Sequence, residues 1–515
     1  MASEPSGEPS LREALRQRPG DARAAVALAD LLVATDRAAE AAALMAPLAA
    51  RADADIFVLT AAGDALKALG RFDAAIGLYQ RGRDSTPRSA VAEHNLAAAL
   101  GDAQRFAEAE ATVRQAFAKG LDAAETWLVR ARALQGLGEL DAAERAFSEA
   151  IRRRPAYADA LGDLVQLIWM RTADLSLSLR ALKAAIAATP SAVDLRLMQA
   201  RVLEYAGDPR GAYRSLLTSP PEVRAHWMTE IAAAQLASGF DSTAALRHAE
   251  RASQLEPARA VVLVTLCQAQ LAAGRPDAAA RIAEAVRARW PDDQHGVALL
   301  ATAWRLLGDP RQEALNDYQR LVRAAMIDTP PGWTKLPDYL TDLAAALRRL
   351  HPYRTHPFGQ SVRGGSQTEQ NLTLSADPVI RTFFSAIDAP IRRYIAALEP
   401  GDDPLRRRRA EGYRFDGAWS VLLRPDGYHA DHVHPRGWIS SACHIELPPA
   451  VEQGHEGWLK FGEPGIATQP PLAPQHFVKP EPGRLVLFPS YMWHGTAPFG
   501  GDTPRLTIAF DLLPA

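Results

Sequence analysis

Three histidines and one arginine in the last hundred residues have the types and the spacing to do chemistry. Two stand in the run Tyr428-His429-Ala430-Asp431-His432-Val433-His434-Pro435-Arg436-Gly437. Side chains two apart on a strand share a face, so His432 and His434 can approach one metal ion while Val433 points away. The third, His494, is expected in the outgoing turn after the apolar strand Leu485-Val486-Leu487-Phe488 and Pro489. An imidazole arriving from a distant strand completes a facial triad. Three ligands on one face leave positions open for a bidentate cosubstrate and O2. Arg505 comes 11 residues after His494 and shares a strand face with Thr507. A guanidinium fork beside a hydroxyl suits the far carboxylate of a bound diacid.

The set His-x-His, His, Arg-x-Thr in this order resembles the prolyl-hydroxylase-like branch of the 2-oxoglutarate/Fe(II) oxygenases. The stretches that carry the resemblance are His432-Val433-His434-Pro435-Arg436-Gly437-Trp438-Ile439-Ser440-Ser441, Gly483-Arg484-Leu485-Val486-Leu487-Phe488-Pro489-Ser490, His494 and the Arg505 strand. Gly364-Gly365-Ser366-Gln367-Thr368 is similar to the same group more loosely. The resemblance covers about the last 100 residues. It implies a double-stranded β-helix (jelly-roll) core with Fe(II) on His432, His434 and His494. It implies 2-oxoglutarate held at its far carboxylate by Arg505 with help from Thr507. It also implies oxidative decarboxylation of that cosubstrate to succinate, coupled to hydroxylation of a substrate C–H bond.

One departure from the family pattern concerns charge. Most of these enzymes carry Asp or Glu two residues after the first histidine, and here the residue is His434. The same segment holds a rival pair, His429 and Asp431, and strand parity makes the two pairs exclusive unless a bulge intervenes. The 432/434 pair is favoured because its Pro-x-Gly-Trp context matches the family. His429 then faces substrate or a ligand, Asp431 is solvated or orienting, and a mixed set that includes Asp431 stays open.

Five strands are expected to position these residues: Ala418–Arg424, Tyr428–His434, Trp438–Leu447, Arg484–Pro489 and Arg505–Leu513. Helices are expected over Pro337–Leu350 and Pro378–Leu398, packed outside the β-core. Upstream the chain repeats. Asp36-Arg37-Ala38, Gly70-Arg71-Phe72, Gln104-Arg105-Phe106 and Gly138-Glu139-Leu140 recur every 34 residues, and the phase returns at Pro276 and Pro310. Each segment lies between two amphipathic stretches; Trp127, Ala131 and Leu134 stand at i, i+4 and i+7. The pattern resembles a tetratricopeptide-repeat array. The expected organisation is therefore multidomain α + β: a helical solenoid over 20–325, a linker with helices over 326–411, and the oxygenase core over 412–515.

The 515 residues exceed what one core accommodates. A net charge of −2 gives no pull toward nucleic acid or membrane surface. Arg406-Arg407-Arg408-Arg409 lies among acids and reads as a solvated loop or helix end. Only Cys267 and Cys443 occur, so no disulfide framework forms and a reducing, cytoplasmic setting is expected. The first twenty residues show no apolar leader core. His444 and Cys443 read as core, His455 and His476 as surface loop, His351 and His356 as structural, and Lys460 as a solvated strand-edge residue. The leading expectation is a dioxygenase (hydroxylase) acting on a protein or peptide bound by the repeats. The alternatives are an interaction scaffold with an inactive β-domain, and a three-histidine metal protein that works without 2-oxoglutarate.

Overall fold

The computed structural model describes residues 7–515. The first six residues, part of the segment read above for a leader, lie outside the described residues. Twenty-two helices precede the first strand among the described residues. Within each compact unit they follow one another as packed helix pairs. Trp127, Ala131 and Leu134 all fall in the helix Ala124–Gly136, with Ala131 and Leu134 buried. Five of the turns that follow a first helix hold a left-handed residue. Gly70, Gly138 and Gly274 take φ of 71°, 79° and 69°, and Asp36 and Gln104 fill the equivalent place at 64° and 59°. Two compact units divide the chain, residues 1–164 and 165–515. Among the described residues no helix is long and apolar enough to cross a membrane.

The C-terminal half of the second unit is an antiparallel curled sheet. Its strands are β1 (Arg323–Met326), β2 (Val362–Gln367), β3 (Tyr413–His432), β4 (Ile439–Glu446), β5 (Leu459–Phe461), β6 (His476–Val478), β7 (Arg484–Pro489), β8 (His494–Thr496) and β9 (Arg505–Pro514). Their order is β1-β7-β4-β9-β3-β8-β5-β6, with β2 also on β3. The first half of β3 pairs with β9 over Tyr413 to Leu423, and its end pairs with β8 at His429 and His432. That one bent strand carries the sheet round on itself.

The two strands expected over 418–424 and 428–434 are therefore one, and it ends at His432 rather than His434. Pro425-Asp426-Gly427, the segment between the two expected strands, lies inside the one strand as an irregularity. The register of β2 on β3 shifts between Arg363 and Gly365, opposite this segment. Gly364, at φ 67°, sits with only 2.8 Å between its would-be Cβ and Gly427 Cα. Two glycines face each other where no side chain fits, so the ladder continues through the kink.

The helices Leu336–Arg348 and Pro378–Ala396 lie close to the expected spans. Their buried faces (Tyr339, Leu343 and Leu347; Phe383, Ile387 and Ile391) belong to one hydrophobic cluster. That cluster also contains Phe488 of β7, Ile508 and Phe510 of β9, and Val297, Leu300 and Trp304 of the helix Gln294–Leu307. Polar contacts follow the same surface. Arg305 Nη1 donates to the Gly462 carbonyl at 2.6 Å, Trp493 Nε1 to Thr302 Oγ1 at 3.0 Å, and the Gln294 backbone N–H to the Pro435 carbonyl at 3.0 Å.

Candidate metal centre and anion pocket

β9 alternates strictly. Leu506, Ile508, Phe510 and Leu512 are fully buried in the core. Arg505, Thr507, Ala509 and Asp511 line a cavity of about 800 Å3 on the other face. His432, His434 and His494 line the same cavity. One ring nitrogen from each of the three lies within 4.8 Å of the others. Ring centroids are 5.0 Å apart for His432–His434, 4.3 Å for His432–His494 and 5.2 Å for His434–His494. His432 ends β3 and His494 opens β8, as directly paired residues. His494 therefore stands in a strand rather than in the outgoing turn. His434 lies beyond the strand, tied by its backbone N–H to the Ser490 carbonyl at 3.0 Å.

The far nitrogens settle the tautomers. His432 Nδ1 lies 2.9 Å from the Ala430 carbonyl oxygen, and His494 Nδ1 lies 2.9 Å from that of Met492. A carbonyl only accepts, so both Nδ1 atoms carry the proton and both Nε2 lone pairs are free. His434 Nδ1 donates to Asp511 Oδ2 at 2.6 Å. Three rings whose Nδ1–H groups are anchored and whose Nε2 atoms converge are what an imidazole-rich divalent site requires. Burial drives the His432 imidazole down to about 3 and holds His494 well below its ordinary value, so both stay neutral and competent as ligands. Burial acts on His434 in the same direction, but the charge and hydrogen bond of Asp511 outweigh it and raise that group.

His429 also lines the cavity, with its ring 6.3 Å from that of His432 and Nδ1 2.9 Å from Ser361 Oγ. Parity alone would send it to the opposite face; the register shift between His429 and His432 brings it round. Asp431 is not in the histidine cluster. Its carboxylate accepts from Lys460 Nζ at 2.8 Å, and Lys460 also pairs with Glu463. The expected solvated lysine is thus only 15% exposed at its side chain. A carboxylate this buried, pushed up to about 6 by desolvation, needs a cation beside it.

Arg505 is 1% exposed. Among the described residues no carboxylate pairs with it. Nη2 donates to His444 Nδ1 at 3.2 Å, and Nε has no partner. Burial lowers the group to about 10, and it remains a cation at neutral pH. A buried guanidinium without a counter-ion is unfavourable unless an anion enters beside it. Thr507, Gln367 and Ser441 line the same cavity. His444, expected as core, is fully buried and is also the group that orients Arg505.

Several functional contacts escape the sequence reading. Asp511 and its partner Ser440 were not singled out, although the alternation 505, 507, 509, 511 puts Asp511 on the Arg505 face. Trp419 stacks on His434 at 6.0 Å and 16°. His476 is not in a surface loop but in β6, stacked on Tyr318 at 5.6 Å. The arginine run forms a short 3-10 turn, in which Arg408 donates to the Gly437 carbonyl at 2.6 Å and Arg407 pairs with Asp292. Arg407 and Arg409 are exposed, as expected of a solvated helix end, while Arg408 also braces the loop behind His434.

A family model described as "Putative 2OG-Fe(II) oxygenase" matches residues 417–511. Tetratricopeptide-repeat models match 94–158, 128–193 and 236–303. No curated protein matches the chain. Among solved structures, MamA is 21% identical over 30% of this chain and 89% of its own, with a TM-score of 0.25. The C-terminal part of a TPR repeat-containing protein from Cytophaga hutchinsonii is 14% identical over 50% and 95%, at 0.33. A tetratricopeptide repeat protein from Parabacteroides merdae is 15% identical over 48% and 98%, also at 0.33.

Proposed function

From a chain that joins tetratricopeptide repeats to a C-terminal 2OG-Fe(II) oxygenase domain, we propose a 2-oxoglutarate- and Fe(II)-dependent dioxygenase that hydroxylates a protein or peptide bound by the repeats. The observation that carries the reading is Arg505, a fully buried guanidinium without a counter-ion, in the same cavity as three histidines with converging Nε2 atoms. His432, His434 and His494 would hold the metal. Arg505 would take the distal carboxylate of 2-oxoglutarate, with Thr507 beside it. When bound, the pair of cofactors would let O2 hydroxylate a C–H bond, with 2-oxoglutarate supplying the other two electrons and leaving as succinate and CO2. The chain's own part is to anchor each imidazole through Nδ1, to exclude water around Arg505, and to leave one side of the cavity open to substrate.

A jelly-roll description of the curled sheet belongs to the same proposal. So do a division of labour among 20–325, 326–411 and 412–515, and a reducing cytoplasmic setting, which suits two buried free thiols. A repeat scaffold, or a three-histidine site that works without a diacid, would have no use for the unpaired Arg505. The test is anaerobic addition of Fe(II) and then 2-oxoglutarate to metal-free protein, with the visible charge-transfer band recorded and succinate measured after oxygen is admitted. A band that disappears in His494→Ala, with oxygen-dependent succinate release in the wild type, is the expected result. Iron bound with no band and no succinate would favour the three-histidine site of another kind.

A further inference from the structure

Three neutral imidazoles leave a divalent cation with its full charge, where a carboxylate ligand would remove one unit. The carboxylates near the cavity differ in what they can do about this. Asp431 is held by Lys460 and lies outside the histidine cluster. Asp416 lines the cavity but is exposed, so its field is screened. Asp511 is 8% exposed and aims Oδ2 at His434 Nδ1, 2.6 Å away. Its other oxygen, Oδ1, accepts from Ser440 Oγ at 2.7 Å, and Ser440 is hydrogen-bonded in turn to Ser490 Oγ at 2.9 Å. Both oxygens are thus fixed, and among the described residues neither pairs with a lysine or an arginine. Ser440 and Asp511 are paired neighbours on β4 and β9, and Ser490 follows β7, so three strands build this support.

We propose that Asp511 is a positioning residue that supplies the missing charge at one remove: held by Ser440 and Ser490, it binds the Nδ1–H of His434 and makes that imidazole the strong, fixed donor of the metal centre. The inference rests on the three-histidine reading. A carboxylate accepting from Nδ1–H raises the electron density at Nε2 and locks the ring plane. His434 then does much of what a directly bound aspartate would do for charge, while its ring keeps the reach that lets it meet His432 and His494.

The test uses the full chain. Fe(II) is titrated anaerobically into wild type and Asp511→Asn, 2-oxoglutarate is added, and the charge-transfer band is recorded. Asparagine keeps the shape and an acceptor but removes the charge. Iron affinity is expected to fall about 10- to 100-fold. The band of the loaded variant is expected at shorter wavelength, because a weaker donor leaves the metal less electron-rich. Unchanged affinity and band overturn the proposal. So does a lower melting temperature of metal-free Asp511→Asn with an unmoved band, since that is what a merely structural role gives. Should Asp511→Asn not fold, Ser440→Ala carries the test. It keeps the charge but frees Oδ1, and the same shifts are expected at smaller size; no shift there overturns the proposal equally. A wild type that binds no Fe(II) ends the three-histidine reading and this inference with it. A wild type that binds iron through His494, with both variants indistinguishable from it, ends this inference alone.

Discussion

At the residue scale the site is a set of unmet demands. Arg505 is a buried cation that no carboxylate among the described residues pairs, and the triad gathers three imidazoles whose ring nitrogens lie within 4.8 Å of one another. Arg505→Ala removes the cation but touches none of the histidines. The 2-oxoglutarate requirement, read as KM for succinate release, should rise by about 100-fold or more, with Fe(II) affinity unchanged. Equal cosubstrate affinity would remove Arg505 from this role. Arg505→Lys should recover little of the loss, because a point charge replaces a fork. Lys460 and Asp431 give a second prediction. The folded-state value of Asp431 is raised to about 6 from 3.8, so its cost to stability is present above about 6 and vanishes as it takes up a proton. Removing Lys460 lifts that value further. Lys460→Met should therefore lose about 3 kcal/mol near pH 8 and recover much of it near pH 5, as read by denaturant unfolding. A pH-independent loss would mean packing rather than the ion pair. His432, His434, His494 and Arg505 were legible because short spacings and residue chemistry speak for themselves. Asp511, Ser440 and Lys460 were not, because each acts through a partner 29 or more positions away that only the sheet brings close.

At the element scale the strands that carry the triad depend on one bulge. β3 runs from Tyr413 to His432 without a break, and the Gly364–Gly427 crossing lets it kink at the segment between the two expected strands. Gly364 holds φ 67° and has no room for a Cβ. Gly364→Ala should cost about 1–3 kcal/mol by denaturant unfolding and displace Ser361 from His429. A neutral substitution would show that the crossing has slack the distances deny. Local pattern was a good guide where it was long. The repeat period, the two outer helices and the apolar run of β7 could be read directly. β5, β6 and β8, of three residues each, offer no window in which alternation can be seen, and β1 and β2 owe their extended form to the partners they pair with.

At the scale of the whole molecule, the change from helix to strand near residue 325 is not a change of core. Leu300 and Trp304 of the helix Gln294–Leu307 share one apolar cluster with Phe488 and Phe510 of the sheet, and Arg305 and Thr302 bond to the sheet's loops. Residues of one continuous core unfold together. A ligand that binds only the folded state adds to its stability by mass action, about 2.7 kcal/mol at a hundred times Kd. Fe(II) with 2-oxoglutarate, added without oxygen, should therefore slow amide hydrogen exchange both in the strands around His432 and Arg505 and in the repeat helices Pro276–Arg289 and Gln294–Leu307. The helices Phe72–Ser85 and Ala90–Asp102 lie in the other compact unit and should exchange as before. Protection confined to the sheet would mean that the last repeats open independently of it. The apolar cluster would then be a contact between two folding units, and a peptide held by the repeats could be delivered to the cavity without any coupling of its binding to the state of the metal.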